Sequence, residues 1–212
     1  MTTAIIILLF VCGFLYYQMQ QRGKKTAKKE MLSTDAARAY PKDALRIENV
    51  GAGGMIHISG IGPEMDEFDV KVIAKHLYRE GASSWYELEG ESADGAVWID
   101  LEEDDGLTLN ITLKKMKLRD IGLSKRDLER MDDDEEGSFT FEGETYYYED
   151  SDRAMFYRYG DETQGESFYY WDFENKAGNK FIGVEKWDDG AYDVSYSEPI
   201  ASHQVSVFSL KA

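Results

Sequence analysis

Leu107, Leu109, Ile111 and Leu113 alternate with Thr108, Asn110 and Thr112, apolar against polar, over the length of a whole strand. Successive side chains of a strand point to opposite faces, so this stretch reads as a half-buried strand with one wet face. The same period runs through Phe68 to Arg79, with Phe68, Val70, Val72, Ala74, His76 and Tyr78 on one side. Ser84 to Glu89 and Ala96 to Glu102 flank Asp94-Gly95, a dipeptide that accepts the positive φ angles of a tight hairpin. Further strands are expected at Ser138 to Glu142, Glu144 to Glu149, Ala154 to Tyr159, Ser167 to Glu174, Lys180 to Trp187, Ala191 to Tyr196 and Val205 to Leu210. Their separators, Asn175-Lys176-Ala177-Gly178 and Asp188-Asp189-Gly190 among them, carry turn chemistry. One helix is expected, Ser124 to Met131, opened by a capping-box spacing of Ser124 and Asp127. The pattern predicts an all-β domain, an antiparallel sandwich or barrel-like sheet of many short strands.

Ahead of the strands lies a different chemistry. Ala4 to Tyr17 reads AIIILLFVCGFLYY, and no charged side chain occurs from Met1 to Gln21. A helix over those residues rises about 30 Å, enough to cross a bilayer. A cleaved leader would need a basic start and a small-residue cleavage site, and neither Met-Thr-Thr nor Tyr16 to Gln21 supplies one. Phe10 and Val11 before Cys12 are too large for a lipoprotein signal. Arg22, Lys24, Lys25, Lys28 and Lys29 crowd the far side of the span, which by the positive-inside bias predicts a cytoplasmic C-terminal domain on a single-pass inner-membrane anchor. The division expected is an anchor at 1–21, a basic tether at 22–44 and an acidic domain at 45–212.

Nineteen of the 24 Lys and Arg but all 41 Asp and Glu fall beyond residue 29, a net charge of −22. A domain this acidic repels nucleic acid and anionic head groups. The one cysteine, Cys12, lies in the expected span, so the domain has no thiol for catalysis, disulfides or zinc. His57, His76 and His203 sit in strand-like contexts without a nucleophile motif, and His76 reads as a satisfied core or edge histidine. Asp132 to Gly137 begins like a calcium loop but has Gly143 where the bidentate Glu should stand, so it reads as a solvated acidic loop. No cofactor is called for.

The most pointed pattern is acid beside tryptophan: Trp85 with Glu87, Trp98 with Asp100 and Glu102, Trp171 with Asp172 and Glu174, and Glu185 with Trp187. Carboxylates neutralise an ammonium group and rings add cation–π attraction, which makes these ten residues the candidate face for an organic cation or a basic protein. The competing reading packs the rings in the core and leaves the acids on its rim.

The succession of SWYELEG at Ser84, VWIDLEEDDGL at Val97, FEGETYYYEDSDRAMFY at Phe141, YYWDFEN at Tyr169 and FIGVEKWDDGAYDVSYSEPI at Phe181 resembles the bacterial domain of unknown function 4178 family, over roughly residues 45 to 210. That resemblance implies an all-β domain with no established activity. Members are often encoded beside aminopropyltransferase-like and small membrane-protein genes, which implies polyamine or envelope physiology. Residues and resemblance together predict a membrane-tethered, non-enzymatic module that docks a basic protein or a polyamine. The alternatives are an enzyme or accessory subunit of polyamine metabolism that uses an acidic-aromatic pocket, and a structural envelope component.

Overall fold

The computed structural model describes residues 44–62, 64–103 and 106–211, so the anchor and the basic cluster expected before residue 44 lie outside the described residues. Among the described residues no helix is long and apolar enough to cross a membrane. The chain from Leu45 onward forms one unit.

Among the described residues eleven strands and one α-helix follow in order: β1 (Met55–Ile61), β2 (Asp66–Glu80), β3 (Ser83–Ser92), β4 (Gly95–Glu103), β5 (Leu107–Met116), α1 (Lys125–Asp134), β6 (Ser138–Phe141), β7 (Glu144–Tyr157), β8 (Gly165–Asn175), β9 (Phe181–Trp187), β10 (Tyr192–Pro199) and β11 (Val205–Ser209). They pair antiparallel in the order β11-β1-β2-β3-β4-β5-β10-β9-β8-β7-β6, and β2 pairs again with β7. That second pairing, Leu77 to Arg79 against Met155 to Tyr157, closes eight strands into a ring. The fold is therefore all-β, and of the two expected forms it is the barrel. Eight strands enclose an interior that side chains fill or that holds one small ligand.

Three bulges decide which residues face that interior. In β2, Val72 pairs with Gly90 but Ala74 pairs with Glu89, so Ile73 is the extra residue. A bulge exchanges the two faces of a strand beyond it. Val70 and Val72 consequently join an apolar core while Tyr78 turns to the opposite face, and the uninterrupted alternation expected from Phe68 to Tyr78 does not hold. In β5, Thr112 pairs with Ser197 and Lys114 with Tyr196, which leaves Leu113 as the extra residue, 36% exposed rather than buried beside Ile111. In β7, Tyr148 pairs with Phe173 and Asp150 with Asp172, with Glu149 between. Glu144 to Glu149 and Ala154 to Tyr159, expected as two strands, are one bulged strand ending at Tyr157.

The barrel wall is sealed from outside. Ile56 and Ile58 of β1 belong to one core with Leu88, Ile99, Leu109 and Ile111, on the outer face of β3 to β5. Leu128 and Met131 of α1 belong to a second with Trp171, Phe173, Ile182, Val184 and Val194, on the outer face of β8 to β10. The helix opens with the expected capping box, Ser124 accepting from the Asp127 amide while Asp127 accepts from that of Ser124. Asp132, expected in a solvated loop, lies in the last turn of this helix and accepts hydrogen bonds from Tyr169, at 2.9 Å, and Ser151. A third, aromatic cluster of Tyr78, Phe156, Phe168 and Tyr170, with Trp85 and Trp187 against it, packs where β2 meets β7. His76 is 2% exposed there, contacting Glu89 through Nε2 at 3.0 Å and accepting from the Tyr159 amide at Nδ1 at 3.1 Å.

Candidate functional site

The ring encloses a cavity of about 460 Å³, within the range of about 300–1,000 Å³ typical of small-molecule sites. Cross-strand register builds its walls in two rows. One runs Glu87, Asp100, Asn110 across β3, β4 and β5. The other runs Lys115, Ser195, Gly183, Asp172, Asp150 across β5, β10, β9, β8 and β7. Glu87 thus stands directly opposite Asp100, and Asp150 directly opposite Asp172. Such neighbours have Cβ atoms about 4.5–5.5 Å apart, and like charges at that spacing repel. Glu80, Glu102, Glu174 and Glu185 add to the same lumen, where Lys115 is the one Lys or Arg among the described lining residues.

Burial and mutual repulsion both favour the protonated form of these acids. Burial, then Asp150 and Glu80, pushes Asp172 up to about 7. Burial pushes Glu185 up to about 7, with Glu87, Asp193 and Asp172 adding to the shift and Lys115 opposing it. Asp100 is held well above the usual carboxylate range by burial and then by Glu87, and Glu87 moves the same way against the pull of Lys115 and His76. Asp172 is an exposed residue that lines the cavity, and its shift follows from the walls that surround it and the acids they carry.

The apolar part of the lumen is aromatic. Tyr78 stacks on Trp85, ring centroids 5.3 Å apart, and meets Phe168 edge-on at 5.7 Å. Tyr78 donates to Glu87 at 3.4 Å and Tyr170 donates to Glu80 at 2.7 Å, which ties rings to acids at the boundary of the two surfaces. Gly183 keeps the wall open, since a Cβ there would sit 3.1 Å from Ser195 Oγ and 3.4 Å from Asp172 Oδ1. The Asn110 Oδ1 acceptor is buried without a hydrogen-bond partner. Among the described residues no three His, Cys, Asp or Glu stand close enough to hold a metal ion, so the acids are spread along the walls rather than gathered around a point.

Of the ten residues singled out from sequence, Trp85, Glu87, Asp100, Glu102, Asp172, Glu174 and Glu185 line this cavity. The other three, all tryptophans, do not. Trp171 is 4% exposed in the core beneath α1, Trp187 packs behind the aromatic cluster with its Nε1 unpartnered, and Trp98 lies under the Lys115 ammonium at 5.1 Å. For Trp171 the core reading is the correct one, because its strand turns Tyr170 and Asp172 inward and Trp171 outward. Sequence reasoning missed Tyr78, Glu80, Asn110, Lys115, Asp150 and Tyr170. Asn110 was on view as part of the wet face of β5, whereas Lys115 and Asp150 reach the lumen only by way of bulges.

Fold and lumen define a small antiparallel β-barrel with an acidic and aromatic internal cavity. The chain belongs to the family described as Domain of unknown function (DUF4178), whose family model matches residues 64–202. The matched residues span β2 to β10, which include all eight strands of the ring, and leave β1 and β11 outside. No curated protein and no solved structure matches the chain.

An acid held above its unfolded value binds its proton more tightly in the folded protein, so the stability it contributes is present at low pH and declines between about pH 4 and about pH 7. Asp127, Glu144 and Asp161, held low by their hydrogen bonds, act in the opposite sense, their contribution being lost as pH falls below about 4. Calorimetry should therefore find a higher unfolding temperature at about pH 5.5 than at about pH 8. Replacing Asp172→Asn together with Glu185→Gln should narrow that gap, and an unchanged gap would show that the lumen acids titrate normally.

Proposed function

We propose that the domain binds an organic polycation, a linear polyamine, inside the lumen, and does so as a binding module rather than as a flat docking face. The observation that carries this reading is the pair of directly opposed acid couples, Glu87 with Asp100 and Asp150 with Asp172, facing one cavity. A chain of methylenes with ammonium groups at intervals offsets both rows of acids at once, and its apolar links lie against Tyr78, Trp85 and Phe168. A small metal ion would satisfy one cluster and leave the rest repelling. A folded basic protein is too large to enter a cavity of this size. The basic residues Arg22 to Lys29 and the apolar stretch before them support a further part of the proposal, that the module is held at the cytoplasmic face of the inner membrane. A reporter active only in the cytoplasm, fused to Ala212, should be active, and an exported, silent fusion would sink that part.

One observation favours a second reading. Asp172 and Glu185 sit at about 7, in the range of a working general acid or base, so the lumen also suits acid–base catalysis of a covalent change in a bound amine. Recovery of chemically unchanged polyamine after long incubation with the protein would exclude a reaction of the polyamine alone.

Isothermal titration of the full-length protein with spermidine should give saturable binding that persists at about 0.15 M salt, where diffuse attraction is screened. Asp100→Asn and Asp172→Asn should each weaken it by about tenfold or more, one charge contact inside a partly screened site being worth that much. Binding that vanishes with salt, or that ignores both substitutions, would reject the lumen as the site.

A further inference from the structure

Lys115 is the odd side chain of the lumen. Without the bulge at Leu113, the alternation of Asn110 and Thr112 would carry Met116 inward and leave Lys115 facing out. With it, Met116 packs on the α1 side of the wall and Lys115 joins Ser195 on the lumen side, at the cost of an exposed Leu113. The Lys115 ammonium then lies 5.1 Å from the centroid of the Trp98 ring. It is also the charge that stabilises the ionised forms of Glu87, Asp100 and Glu185 together. Among the described residues no carboxylate ion pair within 4.0 Å holds it, and the buried Asn110 Oδ1 has no hydrogen-bond partner.

A primary ammonium on a flexible four-carbon chain, set over a ring and before three acids, is chemically the end of an alkyl polyamine. We infer that Lys115 is a tethered stand-in for the ligand, occupying an ammonium subsite between the lining acids Glu87, Asp100 and Glu185 and the ring of Trp98 just outside the cavity lining, and that an incoming ammonium group must displace it. This rests on the reading of the lumen as a cation site and adds the residue that sets its selectivity. A monoamine gains little by replacing one ammonium with another. A polyamine gains because its remaining charges reach Asp172 and Asp150, three and four strands beyond Lys115 in the same row. The lumen therefore selects by number of charges, and Lys115 sets the threshold.

The test titrates full-length wild type, Lys115→Met, Lys115→Gln and Lys115→Arg with n-butylamine, putrescine and spermidine at near-neutral pH. Lys115 is an exposed side chain, so the neutral variants should keep the fold, and an unchanged near-ultraviolet circular dichroism spectrum checks this. Lys115→Met and Lys115→Gln should bind n-butylamine at least about tenfold more tightly than wild type, and spermidine more tightly as well, because the subsite is vacated and the charge missing from it is the one the amine supplies. Lys115→Arg should behave as wild type. Amine affinities equal to or below wild type in both neutral variants would overturn the inference. If wild type binds no amine while the neutral variants do, the subsite stands and the proposed function of the native protein falls. If wild type binds spermidine and the neutral variants bind it no better, the function stands and the role of Lys115 falls.

Discussion

Carboxylates that face one another across a narrow enclosure cannot all be ionised unless something positive stands among them. In this barrel Glu87 opposes Asp100 and Asp150 opposes Asp172, each as a direct cross-strand pair, and six of the eight ring strands contribute an acid to the same cavity. Two responses are open to such a site: it takes up protons, or it takes up a cation. The shifts of Asp172 and Glu185 to about 7 are the first response, and Lys115 is a partial form of the second. Both leave the arrangement costly to the fold, since apolar or neutral polar residues at these positions would fill an eight-stranded barrel with less strain.

The cost is contained by the outer wall. Apolar side chains face away from the lumen, into the layer under β1 on one side and under α1 on the other, so the hydrophobic core of this domain lies around the barrel rather than within it. Inside, the aromatic cluster at the β2–β7 seam is the exception, and it supplies the apolar surface that an alkyl chain needs. The bulges at Ile73, Leu113 and Glu149 make this inversion possible. Each exchanges the two faces of its strand: beyond Leu113 it brings Lys115 inward, beyond Glu149 it brings Asp150 inward, and beyond Ile73 it turns Tyr78 from the outer core to the aromatic cluster.

Much of the fold was legible because local signals agreed with the tertiary outcome. Asp94-Gly95 marks the β3–β4 hairpin, Ser124 and Asp127 form the capping box they spell, and the alternation of Leu109 and Ile111 with Asn110 is the true two-faced strand. The bulges were not legible, because an extra residue leaves no mark in an alternation until the partner strand is known. Leu113 therefore read as core and is exposed, and Lys115, beyond the alternation and marked by no motif, enters the lumen. Trp171 leaves the site for a related reason. Trp85 shares a face with Glu87 and lines the site, but Trp171 is one residue out of phase with Asp172, so the same adjacency that flagged it sends it to the opposite side of the wall. Adjacency in sequence identified the acids well because they alternate with core residues on β3, β4, β8 and β9.

Whether these acids act as one cation site is read most directly from the carboxyl-carbon resonances of Asp172 and Glu185, followed through a pH titration with and without spermidine. Midpoints near 7 in the free protein are expected, with a concerted fall when spermidine is added, since a bound ammonium favours the ionised form. Midpoints near the ordinary value of about 4 in the free protein, unmoved by spermidine, would contradict a single cation site.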